Sequence, residues 1–488
     1  MSLAKKIFGV GAWTAASRIL GFARDMLVGR FLGAGFLSDV FLTAFKLPNL
    51  FRDLLGEGAL SSVFVPMFAK EKRDADFASN AFSWLMLTLL ILTLAAEIFM
   101  PFLVMGLAPG FEAEKLLLTT QTARIMFVYV ILVCGAGFLS ATLNAFSDFA
   151  LAAAAPILLN VFLIGGLLTF GADLKMLSLS VLAAGAVQMT ILWGRLRRRN
   201  FGLRIIFPRM NGLIKNMLGR MSWGFLGSGF YQLNVLVGVL IASYDSGAVS
   251  YLYYGDRMVQ LPFAIIGLAA GTVILTKVSD ALSAGKIPAV HRYQNAAMRQ
   301  SLMLMLPCAT GLIVLAEPII RILFEHGAWT PTATSAVARV IMIQALALPI
   351  MTLSQVYLKT LYASGDAKTP VKISAATLGL AVIVMIALVG HLGYLSVPVG
   401  TLVGGLVRNW WLTLECGRRG LQRTHWKTRI LVGIFLFLSV IMGIGLFFAR
   451  PFVTDITALT FTLTLAPIIY LPIAIVCDKI VMRSPGRF

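Results

Sequence analysis

Long apolar stretches recur along the whole chain, and they constrain its fold more than any other feature. They begin near Ile7 and continue into the last dozen residues. Each is long enough to cross about 30 Å of hydrocarbon as a helix. Of the 488 residues, 59% are hydrophobic and 13% are charged, whereas a soluble globular protein carries about 25% charged residues. The composition argues against a soluble enzyme, a disordered chain or a secreted disulfide scaffold, and it predicts an all-α polytopic membrane protein.

Apolar runs separated by polar breaks predict about fourteen transmembrane helices. They cover approximately residues 5–31, 36–69, 78–107, 117–147, 149–171, 175–197, 211–243, 246–282, 289–325, 331–363, 369–391, 395–417, 427–449 and 456–482. The first run resembles a signal peptide, but Arg18, Arg24 and Asp25 interrupt it and no clear cleavage site follows, so we assign it as helix 1. Helices 2, 8 and 9 exceed one bilayer crossing, so we expect them to bend at Pro48, Pro262 and Pro307 or to continue past the membrane surface.

The distribution of basic residues predicts the orientation. Lys and Arg number 41 against 21 Asp and Glu, a net charge of +20. Such an excess in a soluble protein would suggest a nucleic-acid partner, but most basic residues lie in short connections between apolar runs. Alternate connections hold 26 and 4 Lys and Arg residues, and the basic set faces the cytoplasm by the positive-inside rule. We therefore expect both termini to be cytoplasmic and no nucleic-acid partner.

Two short sequence motifs recur at similar offsets, which indicates that the helical part of the chain is duplicated. Residues 142–148 and 360–366 share the pattern T-L-x-A-x-x-D at an offset of 218, and Leu-Pro recurs at 47–48 and 261–262 at an offset of 214. An even number of helices between the copies predicts two six-helix parallel-repeat lobes. The predicted domains are 1–200 (helices 1–6), 201–210 (a basic cytoplasmic linker), 211–420 (helices 7–12) and 421–488 (helices 13–14). Helices 13 and 14 are then either lipid-facing packing helices or an apolar surface for a long lipid tail.

Ionisable residues inside spans cost about 2.5–3.5 kcal/mol each on insertion scales, so each needs a cavity, a partner or a role. Here they concentrate in three helices. They are Arg18, Arg24 and Asp25 around Gly21 in helix 1, Asp39, Lys46, Arg52, Asp53 and Glu57 in helix 2, and Asp256 and Arg257 in helix 8. Because these helices belong to both lobes, we expect their charged faces to meet in a central cationic cavity.

The charged helices allow two interpretations. Five acids nearly balance five bases, so the charges could form a buried salt-bridge network that only sets helix register. Four of the five bases are arginines, however (Arg18, Arg24, Arg52 and Arg257). The guanidinium fork binds phosphate oxygens in bidentate pairs. Several arginines at mid-membrane depth would suit a diphosphate, which favours binding and moving an anion.

Motifs for chemistry are absent from the sequence. The four cysteines are scattered without CxxC spacing, the four histidines are dispersed, and neither an HExxH motif nor a Walker-type loop occurs. We expect no enzymatic activity, no metal site and no cofactor, and the sequence leaves any coupling ion unidentified.

Several stretches carry a family resemblance. They are Ser17–Asp25, Gly33–Gly35 with Asp39, Ala44–Arg52, Glu57–Ala59 with Phe64–Pro66, Tyr253–Arg257 and Asp366–Ile373. In these stretches the chain resembles the MurJ/MviN family of bacterial lipid II flippases, and the similarity in organisation extends over the whole chain. The resemblance implies the multidrug/oligosaccharidyl-lipid/polysaccharide exporter fold. It also implies export of lipid II, the undecaprenyl-diphosphate-linked peptidoglycan precursor, from the inner to the outer leaflet of the bacterial cytoplasmic (inner) membrane by alternating access.

The resemblance also implies roles for individual residues. Arginines at the positions of Arg18, Arg24, Arg52 and Arg257 would line the cavity and hold the diphosphate. Acids at the positions of Asp25 and Asp39 would position them or couple the transport cycle, and helices 13 and 14 would form a groove for the lipid tail. From the charged helices themselves we add Glu57 and Asp256 as supporting or coupling acids, and Gly21, Pro48 and Pro262 as helix-kink positions. Some members have an acid where this chain has Gln260, so Gln260 is left out of the site. Implied partners are lipid II, the bilayer and other cell-wall synthesis proteins.

Other functions remain open from the residues alone. An exporter of the same fold could move drugs or another polyprenyl-diphosphate oligosaccharide, although the mid-membrane arginines argue against cationic drugs. A membrane enzyme acting on polyprenyl phosphates would need a catalytic acid, base or metal site, and none stands out. A scaffold protein would not need arginines inside its spans.

Overall fold

A computed structural model of the protein consists of helices throughout. It describes residues 3–53 and 59–483, except for the side chains of residues 3–10, 59–62 and 222–231. The helices are α1 (Leu3–Leu32), α2 (Phe36–Phe51), α3 (Ala59–Lys70), α4 (Ala75–Leu107), α5 (Ala113–Phe127), α6 (Tyr129–Ala145), α7 (Phe149–Ala154), α8 (Pro156–Phe170), α9 (Leu174–Arg198), α10 (Gly212–Ala242), α11 (Ala248–Pro262), α12 (Leu268–Ser283), α13 (Ile287–Phe324), α14 (Pro331–Ala363), α15 (Lys368–Leu392), α16 (Ser396–Arg418), α17 (Trp426–Ala449) and α18 (Ile456–Arg483). None of the described residues lies in a β-strand. The predicted all-α fold is confirmed.

Ten helical runs within the described ranges are long and apolar enough to cross a membrane. The longest, Lys368–Arg418, contains two helices joined by a single 3-10 turn at Gly393–Leu395. Large apolar side chains such as Phe102 and Phe448 are exposed on these runs, as expected of surfaces that face lipid. The prediction of a polytopic membrane protein is therefore confirmed, whereas the figure of fourteen crossing helices stays a prediction.

Helical geometry changes close to two of the prolines expected to bend the chain. Pro48 lies inside α2, and a π turn follows at Arg52–Asp53. Pro262 ends α11, and the π-helical segment Phe263–Gly267 follows it. Proline lacks an N–H and crowds the preceding turn, which disturbs the regular α-helical hydrogen bonds. By contrast, α1 continues without a break through Gly21.

The chain packs as two compact units. The first comprises Met1–Ser250 and His326–Trp329, and the second comprises Tyr251–Glu325 and Thr330–Phe488. The lobe and linker boundaries inferred from the recurring sequence motifs stay predictions.

An aromatic core lies among α3, α4, α6 and α9 of the first unit. The rings of Phe64 and Phe138 have centroids 4.4 Å apart, and Phe82 contacts both Phe138 at 5.3 Å and Trp193 at 5.5 Å. Phe64, Phe82 and Phe138 are fully buried. Tilted aromatic pairs add about 0.5–1.5 kcal/mol each beyond the burial of their area, so this cluster holds four helices together.

In the second unit, α17 and α18 pack against the long helix α13. Leu431, Phe435 and Tyr470 are buried in a cluster that also includes Met303 of α13. Nearby, the Arg299 guanidinium lies 2.5 Å from the carboxylate of Asp478. The two C-terminal helices are therefore an integral part of this unit.

Each unit contains an ion pair between arginine and the aspartate that ends the T-L-x-A-x-x-D pattern. In the first unit Asp148 lies 2.8 Å from Arg195 and 2.9 Å from Arg199. Burial opposes ionisation of Asp148, but hydrogen bonds and charge from both arginines outweigh it and lower the pKa of this carboxyl. The T-L-x-A-x-x-D pattern thus ends on a carboxylate that joins the end of α6 to the end of α9.

The second copy of the pattern ends on Asp366, which makes the corresponding contact. Its carboxylate accepts hydrogen bonds from the backbone N–H groups of Lys368 and Thr369 and lies 2.7 Å from Arg419. Hydrogen bonds from Thr369, with a smaller contribution from Arg419, lower the pKa of Asp366 to about 2. Asp366 therefore joins the end of α14, the start of α15 and the end of α16.

An asparagine anchors an extended segment in both units. Asn80 of α4 bonds both backbone groups of Arg209, at 2.8 Å each. Asn295 of α13 donates to the carbonyl of Arg423 and accepts from the N–H of His425. These segments follow α9 and α16, so the side-chain amides supply hydrogen bonds that no helix provides there. The same kind of contact thus occurs once in each unit.

The helix pair α15–α16 provides a test of close packing. A Cβ added at Gly404 would lie 2.8 Å from the Cβ of Ala381 and 3.0 Å from the carbonyl of Thr377, whereas one at Gly405 meets nothing within 4 Å. We expect Gly404→Val to destabilise the protein by about 1–3 kcal/mol through overpacking. Gly405→Val, the matched control, should stay close to the parent. Thermal unfolding in detergent measures both, and equal melting temperatures would contradict the described packing.

Candidate functional site

Arg24 and Asp25 of α1 form a buried charged pair. The guanidinium donates to Asp25 Oδ1 at 2.6 Å from Nη2 and 3.1 Å from Nε. Its Nη1 donates to Asn160 Oδ1 of α8 at 3.1 Å. Arg24 and Asp25 are 8% and 4% exposed. The pair and the amide therefore fix the direction in which Arg24 points.

Asn160 of α8 also lies close to Gly21 of α1. A Cβ at Gly21 would lie 3.6 Å from Asn160 Nδ2, and that amide also donates to the carbonyl of Ser17. The sequence analysis missed Asn160. Its signal was available, because Asn160 is a lone amide in the otherwise apolar start of α8 and such residues mark polar contacts inside membranes.

Asp39, at the start of α2, is completely buried and fully satisfied. Oδ2 accepts from Lys115 Nζ at 2.6 Å and from the N–H of Gly247 at 3.0 Å. Oδ1 accepts from the N–H and the hydroxyl of Ser250 at 2.8 and 2.5 Å. The ammonium of Lys115 also lies 4.2 Å from the ring centre of Phe111. Asp39 thus joins α2, α5 and the start of α11.

Arg52 and Asp53 form a second charged pair where α2 passes into its π turn. Arg52 Nη2 donates to Asp53 Oδ1 at 2.9 Å, and Gln232 Nε2 of α10 donates to Asp53 Oδ2 at 3.0 Å. The Arg52 side chain is 28% exposed. Unlike Arg24, it is partly accessible to a ligand.

In the second unit, the neighbours Asp256 and Arg257 contact different residues. Asp256 Oδ1 accepts from Gln344 Nε2 of α14 at 2.5 Å. Arg257 donates to the hydroxyl of Tyr253 at 3.1 Å and lies 4.9 Å from the centre of its ring. Gly255 allows α11 to pack closely against α14, because a Cβ there would lie 2.5 Å from Val340. The Tyr253 ring directs the Arg257 guanidinium.

Three other sequence positions of interest differ in their surroundings. The Arg18 side chain is exposed, and within the described residues it has no hydrogen bond or ion pair. Gln260 is also exposed. Glu57 lies outside the described residues.

Several charged residues inside helical spans were not identified from the sequence. Lys115 pairs with Asp39, and Arg124 of α5 lies 4.0 Å from Glu97 of α4. Arg408, midway along α16, has a buried Nε with no hydrogen-bond partner, and no ion pair in the described part of the chain includes it. Arg124 and Arg408 are each a single charge in an apolar run of the sequence, whereas Lys115 follows Glu112 and Glu114 in a predicted outer connection.

The charged helices supply oriented cationic groups. Arginine forks at Arg24, Arg52 and Arg257 lie on α1, at the end of α2 and on α11, each oriented by an acid, an amide or an aromatic ring. Among the described residues, no group of three or more His, Cys, Asp or Glu side chains could hold a metal ion. Oriented guanidinium groups inside spans suit recognition of a phosphorylated anion.

Comparisons with known proteins identify relatives along nearly the whole chain. A family model described as "Lipid II flippase MurJ" matches residues 28–466. The probable lipid II flippase MurJ of Rhizobium tropici is 36% identical over 462 residues, covering 91% of this chain and 86% of the relative. The lipid II flippase MurJ of Burkholderia cenocepacia is 30% identical, covering 87% and 85%.

Solved structures match the fold. A lipid II flippase MurJ in an inward closed conformation superposes with a TM-score of 0.81 at 23% identity, covering 97% of each chain. An inward-facing multidrug resistance MATE family transporter of the MOP superfamily gives a TM-score of 0.69 at 16% identity, covering 83% of this chain and 94% of the other. The predicted exporter fold is confirmed.

The Asp39–Lys115 contact yields a test of buried charge pairing. Lys115→Met leaves the Asp39 carboxylate buried without its cation, so we expect a loss of about 3–5 kcal/mol in stability. Adding Asp39→Asn removes the stranded charge and should restore part of the loss. The control is Lys175→Met, which removes an exposed lysine from the start of α9. Melting temperatures in detergent measure all three, and a harmless Lys115→Met would show that the pair does not stabilise the fold.

Proposed function

This chain belongs to the lipid II flippase MurJ family, and on that premise we propose that it moves lipid II from the inner to the outer leaflet of the bacterial inner membrane. The observation that carries the proposal is the family match over residues 28–466. That match covers ten helical runs of membrane-crossing length in full or in part. Peptidoglycan biosynthesis then follows as the process served, because lipid II is its precursor.

We further propose that alternating access performs the transport and that no covalent chemistry occurs. The family is one of transporters, and the charged groups of the spans are arranged as donors for an anion. Other cell-wall synthesis proteins are proposed partners, since they make and consume the same lipid. A drug or another polyprenyl-diphosphate oligosaccharide is not favoured as the substrate, because the relatives are named for lipid II.

For the diphosphate, we propose Arg18, Arg24, Arg52 and Arg257 as the binding residues. Arg18 and Arg52 are accessible, Arg257 is directed by Tyr253, and Arg24 is held by Asp25 and Asn160. Guanidinium pairs bind phosphate oxygens in a bidentate manner that an ammonium group cannot reproduce.

The acids are proposed to support these arginines. Asp25 orients Arg24 directly, whereas Asp39 acts through Lys115 and the start of α11. Asp256 contacts Gln344 beside Arg257, and Glu57 is included because it belongs to the charged residues of predicted helix 2. We retain α17 and α18 as a proposed groove for the lipid tail, because their outward side chains such as Phe437 and Ile441 are exposed and apolar.

Complementation tests the function. A bacterium depleted of its own lipid II flippase should regain growth and surface exposure of lipid II when this chain is expressed. Failure of a well-expressed chain would favour an exporter of another substrate.

The flippase-depleted bacterium also tests the arginines that are proposed to bind the diphosphate. Arg52→Lys and Arg257→Lys keep the charge but lose the fork, so flipping per folded protein should fall about tenfold or more, the factor that matches the loss of one charge-assisted hydrogen bond. Arg195→Lys is the matched control, because Arg195 pairs with Asp148 at a helix end. Normal transport by both site variants would mean that the arginines only hold the helices in register.

We also propose that both termini are cytoplasmic, on the bias of 26 to 4 basic residues between alternate connections. In a cysteine-free variant, Asn200→Cys and Ser484→Cys should resist a membrane-impermeant thiol reagent applied to intact cells. Glu114→Cys, in an outer connection, should be labelled and serves as the control. Labelling at position 200 or 484 would reverse the orientation.

A further inference from the structure

An apolar groove in the first unit is not used by the function described above. We call it the α4–α10 groove. It encloses about 560 Å³ between α2, α4, α5 and α10, and its walls include Leu47, Phe51, Phe99, Phe102, Leu236 and Leu240. Every residue that lines it is Leu, Phe, Val, Ala or Gly. The side chains of Phe99 and Phe102 are 55% and 65% exposed, so the groove is open along one side.

The groove occupies one half of the membrane thickness. Its walls come from the last part of α4, from Leu92 to Leu107, and from Leu233 to Leu240 near the end of α10. Just beyond both helix ends, the N–H of Gly110 donates to the hydroxyl of Ser243 at 2.9 Å. With cytoplasmic termini, this is the outer half of the bilayer.

Charged and polar residues are the chain neighbours of two residues that line the inner part of the groove. Phe51 lines it, and the next residue in the chain is Arg52; Leu233 lines it, and the preceding residue is Gln232. Gln232 and Arg52 both bind Asp53. An apolar channel with a partly exposed arginine one residue beyond its lining is complementary to a hydrocarbon chain with an anionic head.

We propose that the α4–α10 groove holds the part of a polyprenyl chain next to its diphosphate while that diphosphate lies at Arg52. The inference rests on the proposed function and adds a tail site to it. An ordinary phospholipid keeps its phosphate at the membrane surface, about 15 Å from the mid-plane, and so cannot place it at Arg52. Only a lipid whose head has been drawn to mid-depth can occupy both the groove and the arginine.

The direction of the groove relates it to one stage of transport. A lipid in the inner leaflet has its head towards the cytoplasm and its tail towards the outer face. A diphosphate at Arg52 with its tail in the outer half keeps this direction. The α4–α10 groove therefore binds the substrate before it turns over, which makes it distinct from a tail site on α17 and α18.

Three exposed glycines allow a matched test of the groove. A Cβ at Gly106, Gly165 or Gly445 meets nothing within 4 Å, so each accepts a larger side chain without a clash at its first atom. Gly106 lines the groove, Gly165 lies on α8 of the same unit, and Gly445 lies on α17. Gly106→Phe fills the groove, Gly165→Phe is the control, and Gly445→Phe obstructs the competing tail site. Gly106→Leu is a milder second variant that guards against misfolding.

The probe is a polyprenyl diphosphate with a photoreactive group in its first isoprene units, added to the full chain in vesicles. We expect cross-links on α4 and α10 that are lost in Gly106→Phe and reduced in Gly106→Leu and Arg52→Gln. Gly165→Phe should leave them unchanged. Cross-links confined to α17 and α18, or none in any variant that folds, would overturn the proposal.

A phospholipid carrying the same photoreactive group separates the two lipid sources. Equal labelling of the groove by this lipid, insensitive to Arg52→Gln, would make the groove a general acyl-chain site and would overturn the proposal. Complementation of the flippase-depleted bacterium by the parent chain is measured separately from the cross-linking. Complementation without groove labelling rejects the tail site alone, whereas groove labelling without complementation rejects the proposed function.

Discussion

A charged group inside a membrane span cannot be solvated by hydrocarbon, so it must find its partner within a few ångströms. This requirement determines which helices contact one another in the first unit. Asp39 is completely buried because Lys115, Gly247 and Ser250 satisfy both of its oxygens. Each charge pair therefore constrains which helices pack together. Replacing one partner by a neutral residue leaves the other charge buried without a partner.

The same requirement applies to backbone groups where helices end. The first N–H groups of a helix lack partners within it, and Asp366 accepts hydrogen bonds from two of those at the start of α15. Asn80 and Asn295 hold extended segments, and Asp148 and Asp366 join neighbouring helix ends to arginines. The T-L-x-A-x-x-D pattern thus ends in each unit on an aspartate that binds an arginine.

Charges that remain accessible are the ones available to a substrate. Arg18 is exposed and Arg52 partly so, whereas Arg24 is buried between Asp25 and Asn160. A guanidinium whose partner takes only part of its donors can bind a phosphate without a large change in the protein. Of the arginines proposed to bind the diphosphate, Arg18 and Arg52 are thus accessible as they stand, whereas Arg24 must give up a hydrogen bond to Asp25 or Asn160 before it binds a phosphate.

The membrane class, the all-helical fold and the family were predictable from the residues, because hydropathy, span length and contiguous motifs are properties of a linear sequence. The partners of the buried charges were not. Asp39 pairs with Lys115, 76 positions away, and Asn160 reaches Arg24 across 136 positions. The apolar groove beside Arg52 combines residues from four helices. Apolar helices pack by shape, and lipid-facing and protein-facing side chains have similar polarity in a membrane, so only the tertiary structure decides which faces meet.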